Sequence, residues 1–71
     1  MKYSIIINVG FLWYNQLRDV LREYEWLSKD FSWKEGTGWL ERNFYVKGNF
    51  KDIEELEDRF YSYSSGIKPC D

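Results

Sequence analysis

Few side chains in this 71-residue sequence could take part in chemistry. Histidine is absent, which removes the commonest general base and metal ligand. The one cysteine, Cys70, has no histidine to activate it as a nucleophile. Carboxylates are densest in residues 51–59, where a convex helix would leave them in water and nothing would raise the pKa of one for acid-base work. These residues therefore predict no catalysis, no metal site and no cofactor.

Size and charge exclude further classes of protein. A chain of 8.7 kDa has room for one small core, so we expect a single domain over residues 1–71. The net charge of -2 argues against bulk nucleic-acid binding and against imitation of DNA. One cysteine cannot form an intramolecular disulfide, and the apolar run Ile5–Ile7 is too short for a signal-peptide core or a membrane span. We therefore expect a cytoplasmic location.

The first half of the sequence predicts a strand and a helix. Residues 2–9 alternate in polarity and are rich in β-branched side chains, which is typical of a strand. Residues 12–29 repeat apolar side chains at spacings of three and four, which predicts a helix. The apolar stripe of this helix comprises Trp13, Leu17, Val20, Leu21, Tyr24 and Leu27.

A β-hairpin is predicted next, because residues 31–35 and 39–47 alternate on either side of a glycine-containing loop at 36–38. In this register Leu40, Phe44 and Val46 face the helices. The opposite, open face of the sheet then carries Trp39, Glu41, Asn43, Tyr45 and Lys47, joined by Ser4, Ile6 and Asn8 of the first strand.

A second helix and a short strand complete the chain. Asn49 is placed to cap the helix by accepting a hydrogen bond from the amide of Asp52. Apolar side chains then recur at helical spacing, and Gly66 is expected as the C-terminal cap. These apolar residues are Ile53, Leu56, Phe60 and Tyr63. Residues 67–70 are expected to form an edge strand, because Pro69 cannot donate to a central ladder.

The order β-α-β-β-α, with a short terminal β, is that of the α+β class with a ferredoxin-like split βαβ arrangement. Both helices are then expected on one face of an antiparallel sheet, while the other face stays open. The first and third strands would be central, and the second and fourth would be edges.

Aromatic residues make up 21% of the chain, more than one small core can enclose. Spare Trp and Tyr side chains beside mixed charge are typical of protein-recognition surfaces. The alternative is that they only shield a small core, since exposed apolar atoms are common on any protein. The aromatics that fall off the predicted core stripes are Tyr14, Trp26, Trp39, Tyr45, Phe50 and Tyr61.

The third strand contains the run Arg42-Asn43-Phe44-Tyr45-Val46-Lys47. This run resembles the longer motif of RNA-recognition domains, in which strand aromatics stack on bases. It lacks the glycine near the start of that motif, and the first strand has Ile6 where such a domain presents an aromatic. The resemblance implies single-stranded nucleic-acid binding, which the net charge of -2 opposes.

We therefore predict a small non-enzymatic protein-binding module, an inhibitor or adaptor of phage type that acts on a host or defence protein. The expected partner is a larger protein with a basic or aromatic-accepting surface, and no membrane is involved. The alternatives are a nucleic-acid-binding domain and a homodimer with stacked sheet faces or paired edge strands. The predicted partner-binding residues are Ile6, Trp39 and Tyr45 on the sheet, with Glu54, Glu55 and Asp58 as a charged flank on the second helix.

Overall fold

A computed structural model of the chain describes residues 1–70. Two short 3-10 turns, Phe11–Trp13 and Tyr61–Tyr63, follow the first strand and the second helix. The helices and strands are β1 (Lys2–Gly10), α1 (Tyr14–Leu27), β2 (Ser32–Glu35), β3 (Glu41–Gly48), α2 (Phe50–Arg59) and β4 (Lys68–Cys70).

The four strands form one antiparallel sheet in the order β2-β3-β1-β4. The α+β class and the ferredoxin-like arrangement are thereby confirmed, with β1 and β3 at the centre. The predicted terminal strand is present as β4, and Pro69 lies opposite Tyr3 on the edge of the sheet. An edge strand tolerates proline because its outer side needs no ladder hydrogen bond.

One hydrophobic cluster lies between the helices and one face of the sheet. Alternation along β1 and β3 places every second side chain on this face, so Phe44 and Val46 are buried while Tyr45 between them is exposed. The eleven buried side chains of the cluster are Ile5, Ile7, Val9, Tyr14, Leu17, Leu21, Phe31, Phe44, Val46, Ile53 and Leu56.

The start of α1 differs from the prediction. The 3-10 turn carries the chain into a helix that begins at Tyr14, so Trp13 lies outside the helix and is half exposed. Tyr14, predicted to be off the core stripe, is buried, and its hydroxyl donates to the carbonyl oxygen of Trp39 at 3.1 Å. Leu27, the last helical residue, is also exposed, because α1 extends beyond the core at its C-terminal end.

The start of β3 also differs. The strand begins at Glu41, so the predictions that Trp39 lies on the sheet and that Leu40 faces the helices are wrong. The chain turns tightly before the strand, since a Cβ atom at Gly38 would collide with the carbonyl oxygen of Glu41. Two carbonyl groups of this turn accept hydrogen bonds from side chains. The hydroxyl of Tyr14 donates to the carbonyl of Trp39, and the guanidinium of Arg42 donates to the carbonyl of Gly38. These two carbonyl groups therefore need no partner on a neighbouring strand.

Helix α2 ends earlier than predicted. The helix stops at Arg59, and Tyr63 is exposed in the 3-10 turn that follows. Gly66 is not the helix cap, because it lies in the loop before β4, where its φ of 92° favours glycine. No helix within residues 1–70 has the length and apolar character needed to cross a membrane.

The predicted N-cap of α2 is confirmed, because the side chain of Asn49 accepts from the amide of Asp52 at 2.9 Å. Replacing Asn49 with alanine is expected to lower the free energy of unfolding by about 1 kcal/mol, since an amide of the first turn loses its partner. Urea unfolding followed by circular dichroism would measure this loss. Serine at the same position should recover most of it, and equal losses for both variants would contradict a capping role.

Candidate functional site

Five large apolar side chains that the core does not use lie at the end of the molecule where β1 stops and β3 starts. Each is more than half exposed to solvent. The two segments that carry them are joined, because the amide of Phe11 donates to the carbonyl oxygen of Leu40 at 2.9 Å. We call this surface the apolar end, and it comprises Phe11, Leu12, Trp13, Trp39 and Leu40.

An ion-pair network holds the β2–β3 connection beside α1. Arg18 donates from two nitrogens to the two carboxylate oxygens of Glu35, at 2.7 and 2.6 Å. Arg42 donates to the same carboxylate and to the carbonyl of Gly38, and its guanidinium lies 4.5 Å from the centre of the Tyr14 ring. Because α1, β2 and β3 all contribute, the network fixes the segment that presents Trp39.

The two arginines change the acidity of Glu35. The hydrogen bond from Arg18 is the main cause that lowers the pKa of this carboxyl to about 2, and it outweighs burial, which acts in the opposite direction; the hydrogen bond from Arg42 adds to the lowering. In return, the hydrogen bond with Glu35 raises the pKa of Arg18. A carboxylate with so low a pKa is a poor proton acceptor near neutral pH, so its role here is to hold the structure.

A groove continues from the apolar end between α1 and the end of α2. Its volume is about 290 Å³, and Trp13 belongs both to the groove and to the apolar end. Arg59 contributes a cation to the lining and forms no ion pair within residues 1–70. The full lining is Val9, Trp13, Gln16, Leu17, Val20, Arg59, Phe60 and Tyr63. This surface could therefore accept an apolar side chain close to an acidic one.

The open face of the sheet is a second candidate surface. Ile6 and Tyr45 are direct cross-strand partners there, 37% and 45% exposed, and Lys34 of β2 is the partner of Tyr45 on its other side. Asn8 donates through its side-chain nitrogen to the side-chain oxygen of Asn43 at 2.8 Å. This face combines one aromatic ring with hydrogen-bonding groups.

Charge is divided between the two faces of the molecule. Four lysines lie on the open face, and Glu41 at its margin is the one carboxylate that shares it within residues 1–70. The lysines are Lys2, Lys34, Lys47 and Lys68. The two helices carry eight carboxylates and four cations, so their charges sum to an acidic excess. The carboxylates are Asp19, Glu23, Glu25, Asp52, Glu54, Glu55, Glu57 and Asp58, and the cations are Arg18, Arg22, Lys51 and Arg59. The net charge of -2 therefore conceals a basic sheet face and an acidic helical layer.

The predicted site residues fall on three separate surfaces. Ile6 and Tyr45 meet on the open face, while Trp39 lies at the apolar end. The three acids of the predicted flank, Glu54, Glu55 and Asp58, lie on α2, which covers the opposite face of the sheet.

Glu55 already has a partner within the chain. The hydroxyl of Tyr24 on α1 donates to this carboxylate at 2.9 Å. Burial, with a further contribution from this hydrogen bond, raises the pKa of Tyr24 to about 12. Glu54, Glu55 and Asp58 are all exposed on α2, but only Glu55 links the two helices by a side-chain hydrogen bond within residues 1–70.

Sequence reasoning missed two parts of these surfaces. Phe11 and Leu12 were not selected as site residues, although three consecutive large apolar residues ahead of a helix exceed what one helical stripe can bury. Lys34 and Lys68 were missed because their place beside Tyr45 and Ser4 depends on strand order and register. Local spacing carries no signal for that placement.

The fold and these surfaces define the class as a small α+β domain of ferredoxin-like arrangement with an exposed apolar end. Comparisons with protein-family models, with curated proteins and with solved structures find no match to this chain. Within residues 1–70 there is no group of three or more His, Cys, Asp or Glu side chains that could hold a metal ion.

Proposed function

We propose that this protein is a non-enzymatic protein-binding module that docks on a larger protein through its apolar end. The observation that carries the proposal is the grouping of five exposed apolar side chains, two of them tryptophan, at one end of an 8.7 kDa chain. Exposed apolar side chains that are grouped on two adjoining segments favour an interaction site, whereas singly exposed apolar residues need no such explanation.

Tryptophan at such a surface can provide most of the binding free energy. It offers a large, rigid apolar area and a polar N–H group, and it is enriched among the residues that dominate interfaces. Trp39 is 77% exposed and Leu12 is 79% exposed, so both have nearly their whole side chain available to a partner. The network around Glu35 holds the Trp39 segment in place beforehand, which reduces the entropy lost on binding.

The partner we propose presents an aromatic-accepting hollow with basic residues near it. The hollow would receive Trp39 and Leu12, and a basic region elsewhere on the partner would be attracted by the exposed acids Glu54 and Asp58 on the separate surface of α2. A domain of this size acts by covering a surface on its partner, as inhibitors and adaptors of phage type do. Its place of action in this proposal is the cytoplasm.

A pair of double variants tests the proposal. Leu12→Ala with Trp39→Ala removes two apolar side chains from the apolar end, while Trp26→Ala with Leu27→Ala removes the same two residue types from the other end of α1, where both are also exposed. The first variant is expected to lose at least 2 kcal/mol of binding free energy, about 30-fold in affinity, and the second to bind as the parent does.

The measurement is capture of partners from a nuclease-treated lysate of the cell in which the protein acts, with quantitative mass spectrometry of parent and variants. A single protein captured by the parent and by the control, but lost with the apolar-end variant, would support the proposal. Equal capture by both variants would contradict it. If light scattering shows that the parent associates only with itself and that the apolar-end variant is monomeric, the homodimer alternative would replace it.

A further inference from the structure

The open face carries a charge pattern that the proposed docking at the apolar end does not use. We infer that this face binds single-stranded nucleic acid, with the ring of Tyr45 stacking on a base and the surrounding lysines contacting phosphates. This inference is independent of the proposed function, because it rests on different residues.

The strand register places the lysines around the aromatic ring. Lys34 lies directly opposite Tyr45 on β2, about 5 Å away across the sheet. Lys47 follows two residues later on β3, about 7 Å along the same face. Lys68 on β4 lies in line with Lys47 across the sheet, because Ser4 of β1 is the partner of both lysines. The ring is therefore flanked by cations on the open face of the sheet.

The exposed ring favours a single strand over a duplex. Bases in a duplex are already stacked, whereas unpaired bases can stack on an aromatic side chain that projects from a sheet. The hydrogen bond between Asn8 and Asn43 uses the side-chain nitrogen of Asn8 and the side-chain oxygen of Asn43. The other two atoms, the side-chain oxygen of Asn8 and the side-chain nitrogen of Asn43, form no hydrogen bond within residues 1–70. One donor and one acceptor thus lie on the Tyr45 face, available to a base edge.

An acidic protein would use only part of this surface. It would satisfy the lysines, but it would leave the half-exposed ring and the free amide groups without matching partners. A nucleic-acid strand offers phosphates, a flat base and hydrogen-bonding base edges at once. The combination of charge, ring and amides therefore favours the nucleic acid.

The acidic helices do not cancel this attraction. They cover the other face of the sheet, and even the shortest dimension of the molecule is 20 Å. This thickness exceeds the Debye length of about 8 Å at physiological ionic strength, so a strand on the open face is largely screened from the carboxylates behind it. The net charge is a poor guide to the field at this face.

Fluorescence anisotropy with a labelled oligothymidylate or oligouridylate of about twelve nucleotides tests the inference. Titrations between about 50 and 200 mM salt give the dependence of affinity on ionic strength. Replacing Lys34 and Lys47 with glutamine is expected to reduce the slope of log K against log salt by about 1.4, since each phosphate contact to a single strand contributes about 0.7. The matched control, Lys29→Gln with Lys51→Gln, changes the net charge equally at exposed positions off this face and should leave the slope unchanged.

Tyr45 is tested separately. Tyr45→Ala is expected to lower the affinity about tenfold, while Tyr45→Phe, which keeps the flat ring, should retain it. Circular dichroism would show that both variants remain folded. No binding of the parent protein at low salt would overturn the inference, and so would equal effects of the two lysine pairs. Competition by polyglutamate as strong as that by unlabelled oligonucleotide would also overturn it, in favour of an acidic protein partner.

The two proposals can fail separately. The Leu12→Ala, Trp39→Ala variant has an intact open face, so it should bind the oligonucleotide as the parent does. Loss of oligonucleotide binding in this variant would contradict the assignment to the open face, whatever the result of the capture experiment.

Discussion

Replacing Phe44 with alanine is expected to lower the free energy of unfolding by about 3 to 5 kcal/mol, whereas the same change at the adjacent Tyr45 should cost about 1 kcal/mol. Phe44 is fully buried, with its ring 6.1 Å from that of Tyr14 and 6.3 Å from that of Trp33 between centroids. Its removal leaves a cavity in the centre of the only core cluster of the described chain. Tyr45 leaves no cavity, because its ring lies on the open face.

Urea unfolding monitored by circular dichroism would measure both losses, and each variant is the control for the other. A small domain has a free energy of unfolding of only about 5 kcal/mol or somewhat more, so the Phe44 variant should be partly unfolded without denaturant. The reverse order of the two losses would mean that β3 is shifted by one residue. Such a shift would also remove Tyr45 from the open face and with it the basis for nucleic-acid stacking.

Replacing Glu35 with glutamine is expected to lower the free energy of unfolding by about 2 kcal/mol near neutral pH. The substitution keeps the shape of the side chain but removes the charge that pairs with Arg18 and Arg42, leaving two partly buried guanidinium groups close together. The figure is below that for a fully buried ion pair because all three side chains retain some exposure to water.

The loss should depend on pH in a defined direction. The folded protein holds the pKa of Glu35 at about 2, below the usual 4.5 that applies to the unfolded chain. The carboxylate therefore contributes its full stabilisation above about pH 4.5, and this contribution is lost as the pH falls through 2. The difference in stability between the parent and Glu35→Gln should narrow over that interval.

Glu41→Gln is the matched control, because Glu41 is exposed and forms no ion pair within residues 1–70. It should unfold at nearly the same urea concentration as the parent near neutral pH. An equal effect of the two substitutions would mean that the Glu35 network does not stabilise the fold. A constant difference between parent and Glu35→Gln from pH 5 to pH 2 would contradict the lowered pKa.

Local spacing was sufficient to predict most of the architecture. The alternation in β1 and β3 and the helical repeats around Leu17 and Ile53 reflect which face of each element is buried, and burial is the largest favourable term in folding. The Asn49 cap was predictable because it involves only neighbouring residues. The class, the order of the elements and the central place of β1 and β3 followed from these patterns.

The functional surfaces could be predicted only in part. Periodicity placed Ile6 and Tyr45 on the open face, but Trp39 was assigned to the sheet and Leu40 to the core, because the alternation of β3 continues through both positions. Strand pairing stops at Glu41 because the preceding turn is held by a local hydrogen bond from Arg42 and by a long-range hydrogen bond from Tyr14. A contact between residues as distant in sequence as Tyr14 and Trp39 leaves no periodic trace.

The sequence was therefore enough to establish which elements form and, away from the ends of those elements, which faces they bury, because both follow from the polarity and size of neighbouring residues. Only the tertiary structure could show that Phe11 and Leu40 meet at one end, and that four lysines collect on the face opposite the acidic helices. The positions of these groups depend on strand order and on packing between distant segments. Composition gives only the sum of all the charges in the chain, which is -2.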